Sequence, residues 1–166
     1  MSKTVQIVLS HWYNLSEELK ESPQNFYKIV EEGIKRREVP NVSLSRVDYK
    51  EGGLFSAKRE YLRATRKDLV FDICCAHFGT GFFVSWWLGQ TPGFLARLFG
   101  MIPIIGGLFT RTFKPETYYQ LDTALMFQES IHSAVSEVLD GMLKAKGIRS
   151  LSDSERKPIL SDLFTR

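Results

Sequence analysis

The sequence is poor in the residues that cross-link or metallate small proteins: 166 residues contain two cysteines and three histidines. The cysteines, Cys74 and Cys75, are neighbours, and a bridge between adjacent residues needs strained geometry. That excludes a disulfide framework, and the lack of any paired ligand spacing excludes a zinc finger or ribbon. Reduced thiols in a cytosolic environment are the expectation. Acidic residues are missing altogether between Asp72 and Glu116. A membrane span is missing too. The uncharged stretch between Arg97 and Arg111 falls short of the about 20 residues a helical span needs, and Pro103 and Gly106-Gly107 interrupt it. The N-terminal stretch MSKTVQIVLSHWY has too short an apolar part, and no small-residue cleavage site, for a signal peptide. These absences predict a cytoplasmic protein, soluble or peripheral at the inner membrane face. No internal repeat or low-complexity tract breaks the chain.

What is present fits one globular domain with a sizeable core: 43% of residues are hydrophobic, 25% charged and 13% aromatic. A net charge of +3 permits contact with phosphates or anionic lipid without demanding it. Thr4 to Leu9 alternates as a strand, with Val5, Ile7 and Leu9 on one face. Ser22-Pro23 supplies an N-cap and a first-turn proline for a helix over Gln24–Arg37, whose Phe26, Ile29, Val30 and Ile34 recur at helical spacing. Four extended runs follow: Val42–Tyr49, Lys58–Thr65, Leu69–His77 and Phe82–Leu88. Turns at Glu51-Gly52-Gly53, Arg66-Lys67-Asp68 and Gly79-Thr80-Gly81 separate them, so they predict an antiparallel meander. Both faces of the last two strands are apolar, as though each were covered.

After Lys114-Pro115 a long helix is expected over Glu116–Lys146. Leu121, Leu125, Ile131, Val135, Val138, Leu139 and Met142 form its stripe, and Gly147 its C-cap. Ser152-x-x-Glu155 matches a capping box for a short terminal helix limited by Pro158. The fold class implied is α+β: a single domain over 1–166, with an antiparallel sheet of four or five strands packed on an N-terminal helix and a long C-terminal helix. An apolar, Gly/Pro-punctuated insert occupies 90–114. The first strand fits equally at an edge of the meander or beside a central strand.

The stretches EGGLFSAKREYLR, GTGFFVSWWLG and TALMFQESIHSAV resemble a family of small uncharacterised bacterial proteins. The resemblance covers the middle and C-terminal half of the chain and implies no activity, ligand or catalytic residue.

Five constellations bear on function. Cys74 or Cys75 with His77 has the residue types of a thiol nucleophile and its base, and Cys75 and His77 share a strand face. No thiol-catalysis motif surrounds them, and filling a central strand is the commoner use of free cysteine. Glu129-x-x-His132 presents two metal ligands on one helical face, but no second pair accompanies it, so neither metal nor cofactor is expected. Gly79-Thr80-Gly81 lacks the third glycine and following helix of a phosphate cradle, and serves better as a turn. Arg59, Tyr61 and Arg63 alternate onto one strand face, and with Lys67 they have the makeup of a nucleic-acid platform. Glu60 and Asp68 dilute the cluster, and a solvated charged sheet face is the usual explanation.

The fifth is Phe94–Phe109, with Phe94, Leu98, Phe99, Met101, Ile102, Ile104, Ile105, Leu108 and Phe109 as bulky apolar residues and Arg97 and Arg111 as cations. Glycine-softened, acid-free and weakly basic, it has the composition of interfacial peptides, and Trp86 and Trp87 suit the same boundary. The same residues could instead form core or a homo-oligomer interface. The function expected is a non-enzymatic interaction protein that contacts a membrane surface or a protein partner through 94–109. The alternatives are nucleic-acid binding on strand 58–67 and a thiol-dependent enzyme.

Overall fold

The structure, a computed structural model, describes residues 7–50, 58–91 and 117–160. The start of the first expected strand, the turn at 51–53, the insert from 92 onward and the approach to the long helix lie outside these residues. The fold is α+β, with β1 (Ile7–Glu17), α1 (Pro23–Arg36), β2 (Ser43–Lys50), β3 (Lys58–Arg66), β4 (Leu69–Phe78), β5 (Gly81–Gln90), α2 (Tyr118–Ala145) and β6 (Ile159–Leu160). All six strands join one antiparallel sheet in the order β2-β3-β4-β5-β1-β6. The expected meander is present, and the first strand joins it at its edge, beside β5, with only β6 beyond. The sixth strand exceeds the expected four or five. It is two residues long and pairs with Ser10 and His11, too short to leave a periodic signal.

Local chemistry sets the boundaries. Ser22 caps α1 by accepting from the Asn25 amide at 3.4 Å, with Pro23 in the first turn. Thr117 and Gln120 form a reciprocal capping box at the start of α2, at 3.3 and 2.9 Å. Gly147 takes φ +70° after the helix, and the amides of Gly147 and Ile148 bond back to Lys144 and Leu143 in a Schellman motif. Gly79, at φ +60°, opens the two-residue turn between β4 and β5. Ser152 and Glu155 do form a capping box, but a single turn follows it in place of a helix.

Strand parity decides what is covered. Trp12 pairs with Trp86, Ile73 with Trp86, and Leu62 with Ile73, so these side chains share the face on which α1 and α2 lie. Phe26, Tyr27, Val30 and Ile34 of α1 and Phe127, Ile131, Val135 and Leu139 of α2 close over them. Each large side chain buried there contributes about 1.5–3 kcal/mol. The helices touch where Gly33 of α1 faces the Ala134 methyl of α2.

Two expectations need correction. Leu125 does not belong to the packed stripe of α2: the face turned to the sheet runs Ala124, Phe127, Gln128, Ile131, and Leu125, about 100° away, is exposed. The first strand also runs past Leu9 to Glu17. A register shift between Val8 and Ser10 buries both Leu9 and Ser10 and turns Trp12 inward.

Candidate interaction surfaces

Residues 94–109, with Arg97 and Arg111, lie outside the described residues, but both flanks of the insert are defined. At the end of β5, the Gln90 side-chain amide donates to the Asp68 carboxylate at 2.6 Å, and the Thr91 amide donates to the Asp68 carbonyl at 2.8 Å. The chain therefore leaves β5 beside the β3–β4 turn. It returns at Thr117, and a cavity of about 100 Å3 between Asp68, Leu69, Gln90, Tyr119 and Ala124 puts the start of α2 at that same end of the sheet. There α2 carries four large side chains on its outward side, with exposed Asp122 among them. Tyr118 is 86% and Tyr119 73% exposed, and Leu125 and Met126 follow them into solvent. Periodicity alone assigns Leu125 to the core and gives the two tyrosines no role.

The sheet face away from the helices divides in two. Around β3, Arg59, Tyr61 and Arg63 do share a side, and Lys67 sits beyond the strand end in a left-handed turn conformation. Arg63 is engaged within the fold. Its Nε and Nη2 donate to the two carboxylate oxygens of Asp72, each at 2.7 Å. The Tyr49 hydroxyl donates to Asp72 at 2.8 Å and accepts from Arg63. Hydrogen bonding to Asp72 raises the Arg63 pKa further, so the charge is permanent but compensated. Burial, and then Asp72, push the Tyr49 phenol up to about 12. Of the proposed nucleic-acid set, Arg59 and Lys67 remain exposed.

Around β1 and β5 the same face is aromatic. His11 stacks on Trp87 with centroids 4.7 Å apart and planes 14° apart, and Tyr13 lies beside Phe83 at 6.4 Å. The neighbouring tryptophans, considered together in the sequence, separate completely: Trp86 is core and Trp87 faces out. Their strand parity carried that signal.

The thiols are buried on opposite faces of β4. Burial pushes the Cys75 thiol up to about 12 and raises Cys74 as well. That is the reverse of what a thiolate nucleophile needs. Cys75 donates to the Pro23 carbonyl at 3.6 Å, and His77 is exposed near the strand end. Glu129 and His132 also part company, Glu129 accepting from Ser133 at 3.0 Å on the surface while His132 is buried. Among the described residues no three His, Cys, Asp or Glu side chains come together as metal ligands.

His132 instead organises a buried polar seam. Its Nδ1 accepts from the Trp86 indole N–H at 3.0 Å, so Nε2 carries the proton and donates to the Arg156 carbonyl at 2.6 Å. Beside it, Ser10 donates to Gln128, Trp12 donates to the Glu155 carbonyl, and Asp140 pairs with Arg156 and accepts from the Leu151 amide. The segment after α2 is thereby pinned across β1 and α2.

No family model matches the chain, nor does any curated protein. Among solved structures, the crystal structure of TTHA0849 from Thermus thermophilus is 16% identical, over 75% of this chain and 94% of that one, with a TM-score of 0.25. A similarity at that level bears on neither fold nor function. Among the described residues no helix is long and apolar enough to cross a membrane.

Proposed function

We propose that this protein is a non-enzymatic interaction protein that engages a membrane surface or a protein partner through its apolar segment 94–109. The observation that carries the reading is the exposed side of α2 where that segment returns. Tyr118, Tyr119, Leu125 and Met126 continue its apolar character onto a rigid helix. In the membrane version, Phe99, Ile102, Ile104 and Phe109 enter the headgroup–acyl boundary, with the tyrosines at the level where amphipathic rings settle. Arg97 and Arg111 add about 1 kcal/mol each against anionic lipid, and no acidic residue lies between them. The protein then sits peripherally on the inner membrane face. In the partner version the same side chains fill a protein groove.

Flotation with vesicles containing phosphatidylserine separates the two. The membrane version expects the protein to co-float, Phe99→Asp with Ile104→Asp to abolish this, and Tyr119→Ala to weaken it. Retention in the soluble fraction at every lipid composition removes the membrane version.

A further inference from the structure

The sheet has two ends of very different kinds. At one, β6 covers part of β1. At the other, β2 pairs with β3 along its whole length and with no other strand among the described residues. An unpaired edge offers a row of amides and carbonyls to any extended chain, and such edges are commonly blunted by charge. Every side chain of β2 is exposed or half-exposed, and it carries charges at Arg46, Asp48 and Lys50. These charges suit one partner in particular, a second copy of β2.

The argument is one of register. Two β2 strands related by a two-fold axis perpendicular to the sheet run antiparallel, and residues opposite each other have numbers with a constant even sum. Centred on Val47, the seam places Val47 opposite Val47, Ser45 opposite Tyr49, and Arg46 opposite Asp48 on both sides of the axis. Sliding by two residues in one direction puts Arg46 against Arg46, and in the other direction Asp48 against Asp48. A one-residue slip sets side chains of opposite faces against each other. Opposite charges directly across a strand pair stabilise it and like charges oppose it. The register centred on Tyr49 sets Asp48 against Lys50 but overlaps β2 by only three residues, so among registers that pair most of the strand the one centred on Val47 stands out, and it is self-complementary, as a two-fold interface must be.

The surroundings inside one copy fit this. Asp48 lies opposite Glu60 of β3, a like-charge pair. Arg46 sits over the Tyr27 ring at 4.5 Å and approaches Glu31 at 3.6 Å and Glu60 at 3.8 Å. Both of those contacts are longer than hydrogen bonds, so its donors can turn to a carboxylate across the seam.

We infer that β2 is a self-pairing edge through which two copies join antiparallel about Val47 into one continuous sheet, with Arg46 and Asp48 of each copy meeting Asp48 and Arg46 of the other. Main-chain hydrogen bonds supply the adhesion and the crossed charges select the partner and register. The perpendicular axis keeps the helices of both copies on one side of the joined sheet and leaves the outer faces contiguous on the other. This dimer is independent of the membrane reading.

Sedimentation of the full chain over a concentration series tests it, beside Asp48→Arg and the charge swap Arg46→Asp with Asp48→Arg. Asp48→Arg removes the like-charge pair with Glu60 and so leaves the monomer fold intact, while setting arginines against each other across the seam. The wild type is expected to sediment as a dimer, Asp48→Arg as a monomer, and the swap as a dimer again. Val47→Cys is expected to form an intermolecular disulfide at position 47 under mild oxidation, and Ser45→Cys not to, since only position 47 faces itself. A wild type that stays monomeric throughout, or an Asp48→Arg variant that still dimerises, overturns the proposal. A swap that stays monomeric, or a position 47 that fails to cross-link, overturns the register.

Discussion

Trp86 and Trp87 are adjacent in the chain and lie on opposite faces of the sheet, 0% and 44% exposed. The faces differ in how they treat polar groups. Under the helices, nearly every polar atom is matched by a specific distant partner: Trp86 with His132, Ser10 with Gln128, Tyr27 with Glu60 and Cys75. The Ser136 hydroxyl, without a partner among the described residues, is the exception. On the outer face, the charged cluster of Arg63, Asp72 and Tyr49 occupies β2 to β4, and partly exposed aromatic stacks occupy β1 and β5. The first face is closed by packing, and the second leaves Tyr13 and Trp87 partly in solvent.

The largest expected effect follows from substituting the two tryptophans separately. Trp86→Ala removes a fully buried side chain and orphans His132 Nδ1, at a cost of about 3–5 kcal/mol. Trp87→Ala gives up one stacking contact with His11 and costs roughly 1 kcal/mol. Urea unfolding midpoints measure both. Equal losses would break the contrast between the faces and favour 94–109 as core lying over Trp87.

Tyr27→Phe comes next and sharpens the description of the covered face. The β3–β4 ladder stops at Leu62 and Ile73. One step beyond the next residue pair, the Tyr27 hydroxyl stands between the strands, donating to the Glu60 carbonyl at 2.7 Å and accepting from the Cys75 amide at 3.0 Å. It replaces a bond the backbones no longer make to each other. Losing it leaves two main-chain groups unpaired, an expected destabilisation of about 1–3 kcal/mol. Hydrogen exchange at Cys75 should accelerate more than at Ile73. Unchanged exchange at Cys75 would show that the strands re-pair without the hydroxyl.

Much of this was legible in the chain, for reasons tied to particular residues. Strands β2 to β5 are extended runs between clear turns, so the opposite facing of Trp86 and Trp87, or of Cys74 and Cys75, follows from parity alone. The second half of β1 was not legible, because Ser10, Asn14 and Ser16 occupy its inward side and Tyr13 and Leu15 its outward side, reversing the usual pattern. Leu125 misled because a leucine near the period counts toward a stripe whichever way the helix is rotated. His132 looked like half of a metal motif. Its partners, Trp86 and Arg156, are 46 and 24 residues away in sequence, and no local pattern reports such pairings. Segment 94–109, the strongest functional signal in the sequence, is represented in the structure only by its flanks.

The smallest effect is a pH dependence confined to the covered face. His132 is held neutral: burial lowers its pKa from the ordinary 6.5, and Nδ1 already faces an N–H donor, so a second ring proton has no acceptor. The groups facing it act in both directions, Glu129 favouring the charged form and Arg156 opposing it while its carbonyl accepts from Nε2. An unfolded chain takes up a proton near 6.5, where the folded chain does not. The stability this group supplies is therefore complete above that pH and declines as pH falls through it, until the folded imidazole also protonates. Measured between neutral pH and the carboxylate range, the wild type should lose stability on acidification more steeply than His132→Gln, whose amide is unable to titrate. The loss should appear first as release of the segment that His132 and Trp12 pin, seen as faster exchange at Leu151 and Ile159. Parallel pH profiles for the two proteins would mean that His132 keeps its proton count on unfolding, and that the seam holds by packing alone.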